Sequence, residues 1–221
     1  MAITINGSTG ITSSEIADGT IVNADVNDVA ASKLTGALPA ISGANLTGLT
    51  SAQMPSGSVL QVVSTQNNSL NSTINTNPAA YSSVGLSVDI TPKSSNSKFL
   101  ITVTVGLGTT ATGSNSWGLT LFRDSSRSSL NGNDSGNRKG CFVKGVDHAG
   151  SNGADANHSI GAMNHGVDTT SGTAGTTITF KAGGVTEAAT MYINRCESNP
   201  NNGQIYSSRT STTISVMEVE K

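Results

Sequence analysis

Residues 19–57 constrain the fold most, because they carry regularly spaced aliphatic side chains that neither a helix nor a globular core accommodates. The large apolar residues fall three to five positions apart: Val26, Val29, Leu34, Leu38, Ile41, Leu46, Leu49 and Met54. On a helix this spacing would form one apolar stripe. Helix-breaking residues interrupt it: Gly36, Pro39, Gly43, Gly48 and Pro55. Each removes a hydrogen bond or adds backbone entropy, so a long helix is not expected.

This segment predicts a thin shaft that is stabilised between chains. Wrapped with two identical neighbours, each aliphatic residue would point at a shared axis while Ser, Thr, Asn and Gly face water. The tripeptide LTG recurs with a twelve-residue offset, at 34–36 and 46–48, as expected for a short quasi-repeat. A disordered linker remains the alternative, because segments rich in Gly, Ser, Thr and Asn are usually linkers.

The composition limits the classes of molecule that this chain is expected to bind. The formal net charge is -2 and only 12% of the 221 residues are charged, so no basic patch or run exists to bind nucleic acid or an anionic membrane surface. No segment approaches the roughly 20 apolar residues of a membrane span. The start MAITINGSTG lacks the basic and apolar regions of a secretory signal. We therefore expect no nucleic-acid partner, no membrane insertion, and synthesis in a cytosol.

The first 18 residues predict a separate anchoring segment. Two short alternating runs flank Asn6 and Gly7, a dipeptide that suits the positive φ angles of a tight hairpin turn. A lone hairpin is marginal in water. It would therefore dock on a partner or on its own copies, and a frayed terminus is the alternative.

Residues 58–221 predict an all-β domain. Eight windows of five to eleven residues are rich in Val, Ile, Thr and aromatics and are bounded by Gly, Ser, Asn or Pro: 59–65, 84–91, 98–108, 117–124, 141–145, 176–182, 189–195 and 211–220. Eight strands without a helical window predict an antiparallel β-sandwich, jelly-roll-like in topology. In the last window, Met217 and Val219 lie on the face opposite Ile214 and Val216, which predicts a bulge or burial on both faces.

Two long, polar, glycine-rich loops are predicted at 125–140 and 145–175. Loops of this length are usually functional or disordered. The second loop carries all three histidines, and we take it as the candidate receptor-contact loop, with these residues: Asp147, His148, Asn152, Asp155, Asn157, His158 and His165. A shared metal site is the weaker alternative, because the histidine spacings match no known metal motif. No metal, cofactor or catalytic residue is therefore assigned.

Three further observations concern single residues and motifs. Trp117, the only tryptophan, lies on an alternating strand and is expected in the core or at a subunit interface, with a sugar-stacking platform as the alternative. Cys141 and Cys196 lack metal-ligand spacing and are expected as buried thiols, with a disulfide after release as the alternative. The sequence contains no GxSxG, HExxH, CxxC or phosphate-binding loop, so we do not expect an enzyme.

In their order, several pieces resemble one family. They are MAITINGSTGIT, ADGTIVNADV, ASKLTG, LPAISGANLTGL, GSVLQVVSTQ, LSVDITPKSSNSKFLITVTV, LTLFRDS and YINR with SSRTSTTISVMEVE. Together they look like the tail-fibre and host-binding fibre proteins of tailed bacteriophages, especially marine and cyanobacterial phages. The resemblance covers nearly the whole chain. It implies a homotrimer with a virion-attachment segment (1–18), a short trimeric shaft (19–57) and a β-sandwich knob (58–221).

The function expected from this resemblance is that of a structural virion protein, a trimeric tail fibre. Its N-terminal segment would bind other tail proteins, and its distal knob would bind a glycan or protein of the host cell surface. The protein would be assembled in the host cytoplasm and located in the phage tail. A head fibre, decoration or adaptor protein without receptor binding is the alternative. The roughly 38 residues 19–56, extended at no more than about 3.3 Å per residue, reach only about 125 Å, so the fibre would be short or one segment of a longer assembly.

Overall fold

The computed structural model describes the chain from residue 49 onward, with gaps. The described ranges are 49–70, 73–75, 81–109, 114–136, 140–148, 160–186, 190–196 and 209–221. They belong to one compact unit, Gly48–Lys221. The predicted attachment segment 1–18 and residues 19–48 of the predicted shaft lie outside the described residues, so the three domain limits stay predictions.

The described residues form eleven strands and one short 3-10 turn, Ser51–Gln53. The strands are β1 (Val59–Asn67), β2 (Thr73–Asn75), β3 (Ser82–Ile90), β4 (Ser97–Thr109), β5 (Ser114–Arg123), β6 (Ser126–Arg127), β7 (Val143–His148), β8 (Ile160–Asp168), β9 (Ile178–Thr186), β10 (Thr190–Ile193) and β11 (Thr212–Glu220). Each of the eight predicted windows overlaps one of these strands. The all-β prediction is therefore confirmed for the described part of the chain.

The strands form two antiparallel sheets. In sheet A, β1 pairs with β11, β11 with β4, and β4 with β8. β10 pairs with β4 on the edge opposite β8, which is the edge that also carries β11, and β2 pairs with β10. The short strands β10 and β2 therefore continue the lines of β11 and β1. In sheet B, β3 pairs with β9, β9 with β5, and β5 with both β7 and β6. Each sheet is therefore four main strands wide.

The two sheets pack face to face around one hydrophobic core. Strict alternation buries every second residue of β11 and of the first nine residues of β4, because successive side chains of a strand point to opposite faces. The ring centroids of Phe99 and Phe180 are 5.7 Å apart across the sheets. β11 pairs in regular register, and the bulge lies in β1 between Val59 and Gln61. The predicted bulge in the last strand is therefore wrong.

The prediction of one continuous loop over 145–175 is also wrong, because β7 extends to His148 and residues 160–168 form β8. The usual pattern is reversed in β8. Among its described side chains, from residue 161 onward, the core-facing ones are small or polar and the outward ones include Met163 and Val167. Phe142 and Leu130 fill the space above Gly166 from the other sheet. The strand therefore needs no large inward side chain of its own, and an alternation rule based on apolar residues misses it.

An ion pair joins β8 to the opposite sheet. Arg123, on the inner face of β5, contacts Asp168 at 2.9 Å, and the carboxylate is 2% exposed. The guanidinium also donates to the carbonyls of Thr170 and Ser171 at 2.7 and 3.0 Å. It lies 5.4 and 5.8 Å from the ring centroids of Phe99 and Phe180, within cation–π range.

This pair generates a first prediction. Asp168→Asn keeps an oxygen for the Thr170 N–H but leaves the Arg123 charge uncompensated, so we expect a loss of about 3 kcal/mol in unfolding free energy. Asp134→Asn is the matched control, because the Arg127–Asp134 pair is more exposed and its loss should cost below about 1 kcal/mol. Urea unfolding measures both. Equal losses in the two variants would contradict the role assigned to Asp168.

A second prediction concerns Gly145, which pairs with Trp117 across β7 and β5. A Cβ at this position would overlap the indole ring, and Trp117 is buried and cannot move outward. Gly145→Ala should therefore destabilise the domain by about 1–3 kcal/mol in urea unfolding. The control is Gly161→Ala, where an added Cβ meets nothing within 4 Å and the change should stay within about 0.5 kcal/mol. A stability loss at Gly161 as large as that at Gly145 would argue against this packing.

Candidate functional site

The two ends of the sandwich differ in which parts of the chain lie there. We call the end at Gly57 and Lys221 the proximal end, since the N-terminal part of the chain joins the sandwich there through the bond from Gly57 N–H to the Glu220 carbonyl, at 2.9 Å. The opposite end, where β4 and β7 finish at Thr109 and His148, is the distal end. The Arg123–Asp168 pair lies toward the proximal end in both sheets.

The proximal end is closed by a buried carboxylate. Glu218, which is fully buried, accepts hydrogen bonds from the backbone N–H groups of Lys93 and Ser94 at 3.0 to 3.1 Å. The side chain of Gln61 donates to its other oxygen at 2.6 Å. These donors satisfy a buried charge and hold the connection between β3 and β4. The proximal end is thus built as a structural closure.

The candidate receptor-contact residues fall into three groups. Asp147 and His148 are the last two residues of β7, paired with Asn115 and Ser114, and the structure describes their backbone only. β8 begins at Ile160 opposite Leu107. The strand ends that flank 149–159 therefore both lie at the distal end. Four candidates between them lie outside the described residues: Asn152, Asp155, Asn157 and His158.

His165 lies apart from Asp147 and His148. It is exposed on β8, opposite Thr102, on the outer face of sheet A, whereas Asp147 and His148 belong to sheet B. The three described candidates therefore lie on different sheets. His165 belongs to sheet A through β8, and Asp147 and His148 belong to sheet B through β7.

A stacked pair toward the distal end was not predicted from the sequence. The guanidinium of Arg195 lies 4.5 Å from the ring centroid of Tyr192, and its Nε donates to the carbonyl of Leu70 at 2.7 Å. Tyr192 pairs with Gly108 and points to the outer face of sheet A. The only sequence signal is the spacing of the two residues in YINR. A guanidinium over an aromatic ring at this distance is a cation–π contact, and here it holds Arg195 against the outer face of sheet A.

A hydrogen-bonded side chain joins two aligned strands near the same end. β10 and β11 follow one line, and residues 197–208 between them lie outside the described residues. Asn194, with φ of 60°, ends β10. Its side chain donates to the carbonyls of Asn67 and Ser69 at 2.7 and 3.2 Å and accepts from the Thr212 hydroxyl at 2.7 Å. The buried amide therefore holds the two strand segments together.

Of the first predicted loop and the residue that follows it, Gly140 and Cys141 cover the outer face of sheet B, and Asn131 bonds the free backbone edge of β5. The Gly140 carbonyl accepts from the Thr120 hydroxyl, the Tyr81 hydroxyl and the Arg127 guanidinium at 3.4, 3.2 and 2.5 Å. Asn131 bonds the backbone of Leu121 in both directions, at 2.8 and 2.6 Å. In these residues the first predicted loop is a packed cover rather than a disordered segment.

The two cysteines form no disulfide. Cys196 is fully buried, and Cys141 packs above Gly118 on sheet B. Desolvation raises the pKa of the Cys141 thiol, although the nearby charges of Arg127 and Lys144 partly oppose the shift. Trp117 is buried in the core, which confirms one of its two expected placements, and its Nε1 has no hydrogen-bond partner among the described residues.

The raised pKa gives a third prediction. At pH 7 to 8 the native Cys141 thiol should react with iodoacetamide more slowly than the same residue in urea, because less thiolate is present and the group is half-buried. The rate should rise as the pH is increased beyond the ordinary pKa range of a thiol. Peptide mass spectrometry measures the modification at each pH, and Cys196 serves as the fully buried reference. Native and unfolded rates that coincide would contradict the prediction.

Comparisons and the described residues identify no known activity. No protein-family model matches the chain, and no curated protein matches it. Among the described residues, no group of three or more His, Cys, Asp and Glu side chains could hold a metal ion. No helix in the same part of the chain is long and apolar enough to cross a membrane.

Proposed function

We propose that this protein is a trimeric tail fibre of a bacteriophage whose sandwich binds the host cell surface at its distal end. The observation that carries the proposal is the separation of the two ends. The N-terminal part of the chain joins the sandwich at Gly57, whereas the strand ends that flank 149–159 lie at the other end. A fibre that is attached through its N-terminal segment would present that second end outward.

The order of the strands supports a jelly roll as the finer description of the knob. Taking the eight main strands in chain order, sheet A runs 1-8-3-6 and sheet B runs 2-7-4-5. The chain crosses repeatedly between the sheets, which is the arrangement of two interleaved Greek keys. Such a fold leaves its connections clustered at the two ends, where they are available for recognition.

The chemistry of the distal segment supports a neutral polar ligand. Residues 149–159 are rich in Ala, Gly, Ser and Asn and include Asp155 and His158. Amide and hydroxyl groups of this kind bind through hydrogen bonds, as cell-surface glycans and polar protein surfaces require. Single contacts of this type are weak, and three linked copies would raise the avidity.

The experiment that tests the proposal is deletion of residues 150–155 in the full chain assembled into particles. The shortened protein should keep its oligomeric mass, because the deletion leaves both flanking strands, β7 and β8, whole, while adsorption to host cells falls at least about tenfold through loss of avidity. The matched control is Thr173→Ala with Thr176→Ala, two exposed residues at the proximal end, which should adsorb normally.

Unchanged adsorption of particles with the deletion would contradict receptor binding by this segment. Immunogold labelling of intact particles separates the proposal from its alternative. A label on the tail tip agrees with a receptor-binding fibre. A label on the head would instead establish a head fibre or decoration protein.

A further inference from the structure

The outer face of sheet A carries a continuous apolar row across all four main strands. Val62 pairs with Met217, Met217 with Leu100, and Leu100 with Val167. Val62 and Val167 are 56% and 43% exposed. Val59 and Val219 form a neighbouring apolar pair on the same face. Rows of large apolar side chains on one sheet face usually mark a surface that another molecule covers.

The outer face of sheet B differs, because the chain covers it with its own residues. Cys141 packs above Gly118, and the hydroxyl of the fully buried Thr120 donates to the Gly140 carbonyl. Phe122 makes an edge contact with Tyr81 at a centroid distance of 5.9 Å. In the described part of the chain, no residues cover the apolar row of sheet A in this way, and Val62 and Val167 are therefore exposed.

The identity of the covering molecule follows from the spacing of apolar residues along the chain. The predicted interchain stripe of residues 19–57 ends with Leu49 and Met54 at a spacing of five residues, and Val59 and Val62 continue it at five and three. All four side chains are exposed. Leu60 and Val63, which fall between and after them, are partly buried instead. Among the exposed apolar residues, the spacing that predicts packing between copies in the shaft therefore continues into the outer face of sheet A.

The charge of this face also favours a second copy. Lys98 is the one charged side chain of β1, β4, β8 and β11 that points outward in the described sheet, and the remaining polar neighbours are the His165 imidazole and hydroxyl or amide groups such as Ser64, Thr102 and Ser215. Identical faces brought together would thus meet little repulsion, since like charges at an interface are what disfavour self-association.

We propose that the outer face of sheet A, centred on Val62, Met217, Leu100 and Val167, is the surface through which copies of this chain pack in the trimer. The inference rests on the proposed fibre function and names the contact within it. The outward side chains of Met217 and Val219 then pack between their own sheet and a neighbouring copy. This explains their place on a strand whose other face is core.

The test compares three full-length proteins by light scattering over a range of concentrations: the natural chain, the double variant Val62→Glu with Val167→Glu, and the control Ser87→Glu. Ser87 is exposed on β3, opposite Lys181 in the other sheet. The natural chain and the control should remain trimers. The double variant should dissociate at a concentration at least about tenfold higher, because each copy then buries two unpaired carboxylates.

The possible outcomes distinguish a failure of the proposed packing surface from a failure of the proposed fibre function. A natural chain that is a monomer overturns the trimeric fibre, and with it this inference. A natural trimer whose double variant dissociates no more readily than the Ser87→Glu control overturns the surface alone and leaves the fibre proposal standing.

A second measurement covers the case in which the double variant does not fold, as judged by circular dichroism. Met163, which is 67% exposed on the outer face of β8, is the probe in the natural chain. Under dilute peroxide it should oxidise at least about tenfold more slowly in the trimer than in urea, because a neighbouring copy covers the face. Equal rates in the trimer and in urea would overturn the proposed surface.

Discussion

The ion pair between Arg123 and Asp168 is the interaction on which the rest of the sandwich depends. It links the inner faces of the two sheets at β5 and β8, and β8 contributes few large apolar side chains to the core between them. A strand of this composition would gain little from burial alone. The pair, together with the carbonyls of Thr170 and Ser171, fixes both the position of β8 and the start of the connection that follows it.

Fixing β8 in this way leaves its outward residues free for another purpose. If Asp168 holds the strand from inside, Met163 and Val167 are not needed for folding of the single chain. The same division appears at β11, where Glu218 is bound on the core side and Met217 lies on the outer side. Buried polar contacts thus set the fold near the proximal end, while apolar side chains accumulate on the outer face of sheet A. This distribution suits a subunit that is completed by its own copies.

The two outer faces and the two ends of the sandwich also differ. Sheet B is covered by the chain itself, through Gly140 and Cys141, and the proximal end is closed by the hydrogen bonds of Glu218. The distal end is where β7 ends and β8 begins. For the proposed fibre, one face is therefore available to neighbouring copies and one end to a ligand.

The sequence by itself determined the all-β class and the position of eight strands, because alternation in stretches such as 98–108 follows directly from the two-residue period of a strand. It also placed Trp117 in the core or at an interface. It could not find β8, whose core side is filled by Phe142 and Leu130 from the other sheet, and it therefore merged His165 with Asp147 and His148 into one loop. Only the tertiary structure decided which sheet each of these residues joins and that Val62 and Val167, 105 positions apart, lie in one row. The physical reason is that cross-strand pairing and intersheet packing join residues distant in sequence, whereas local alternation reports only which residues share a face of their own strand.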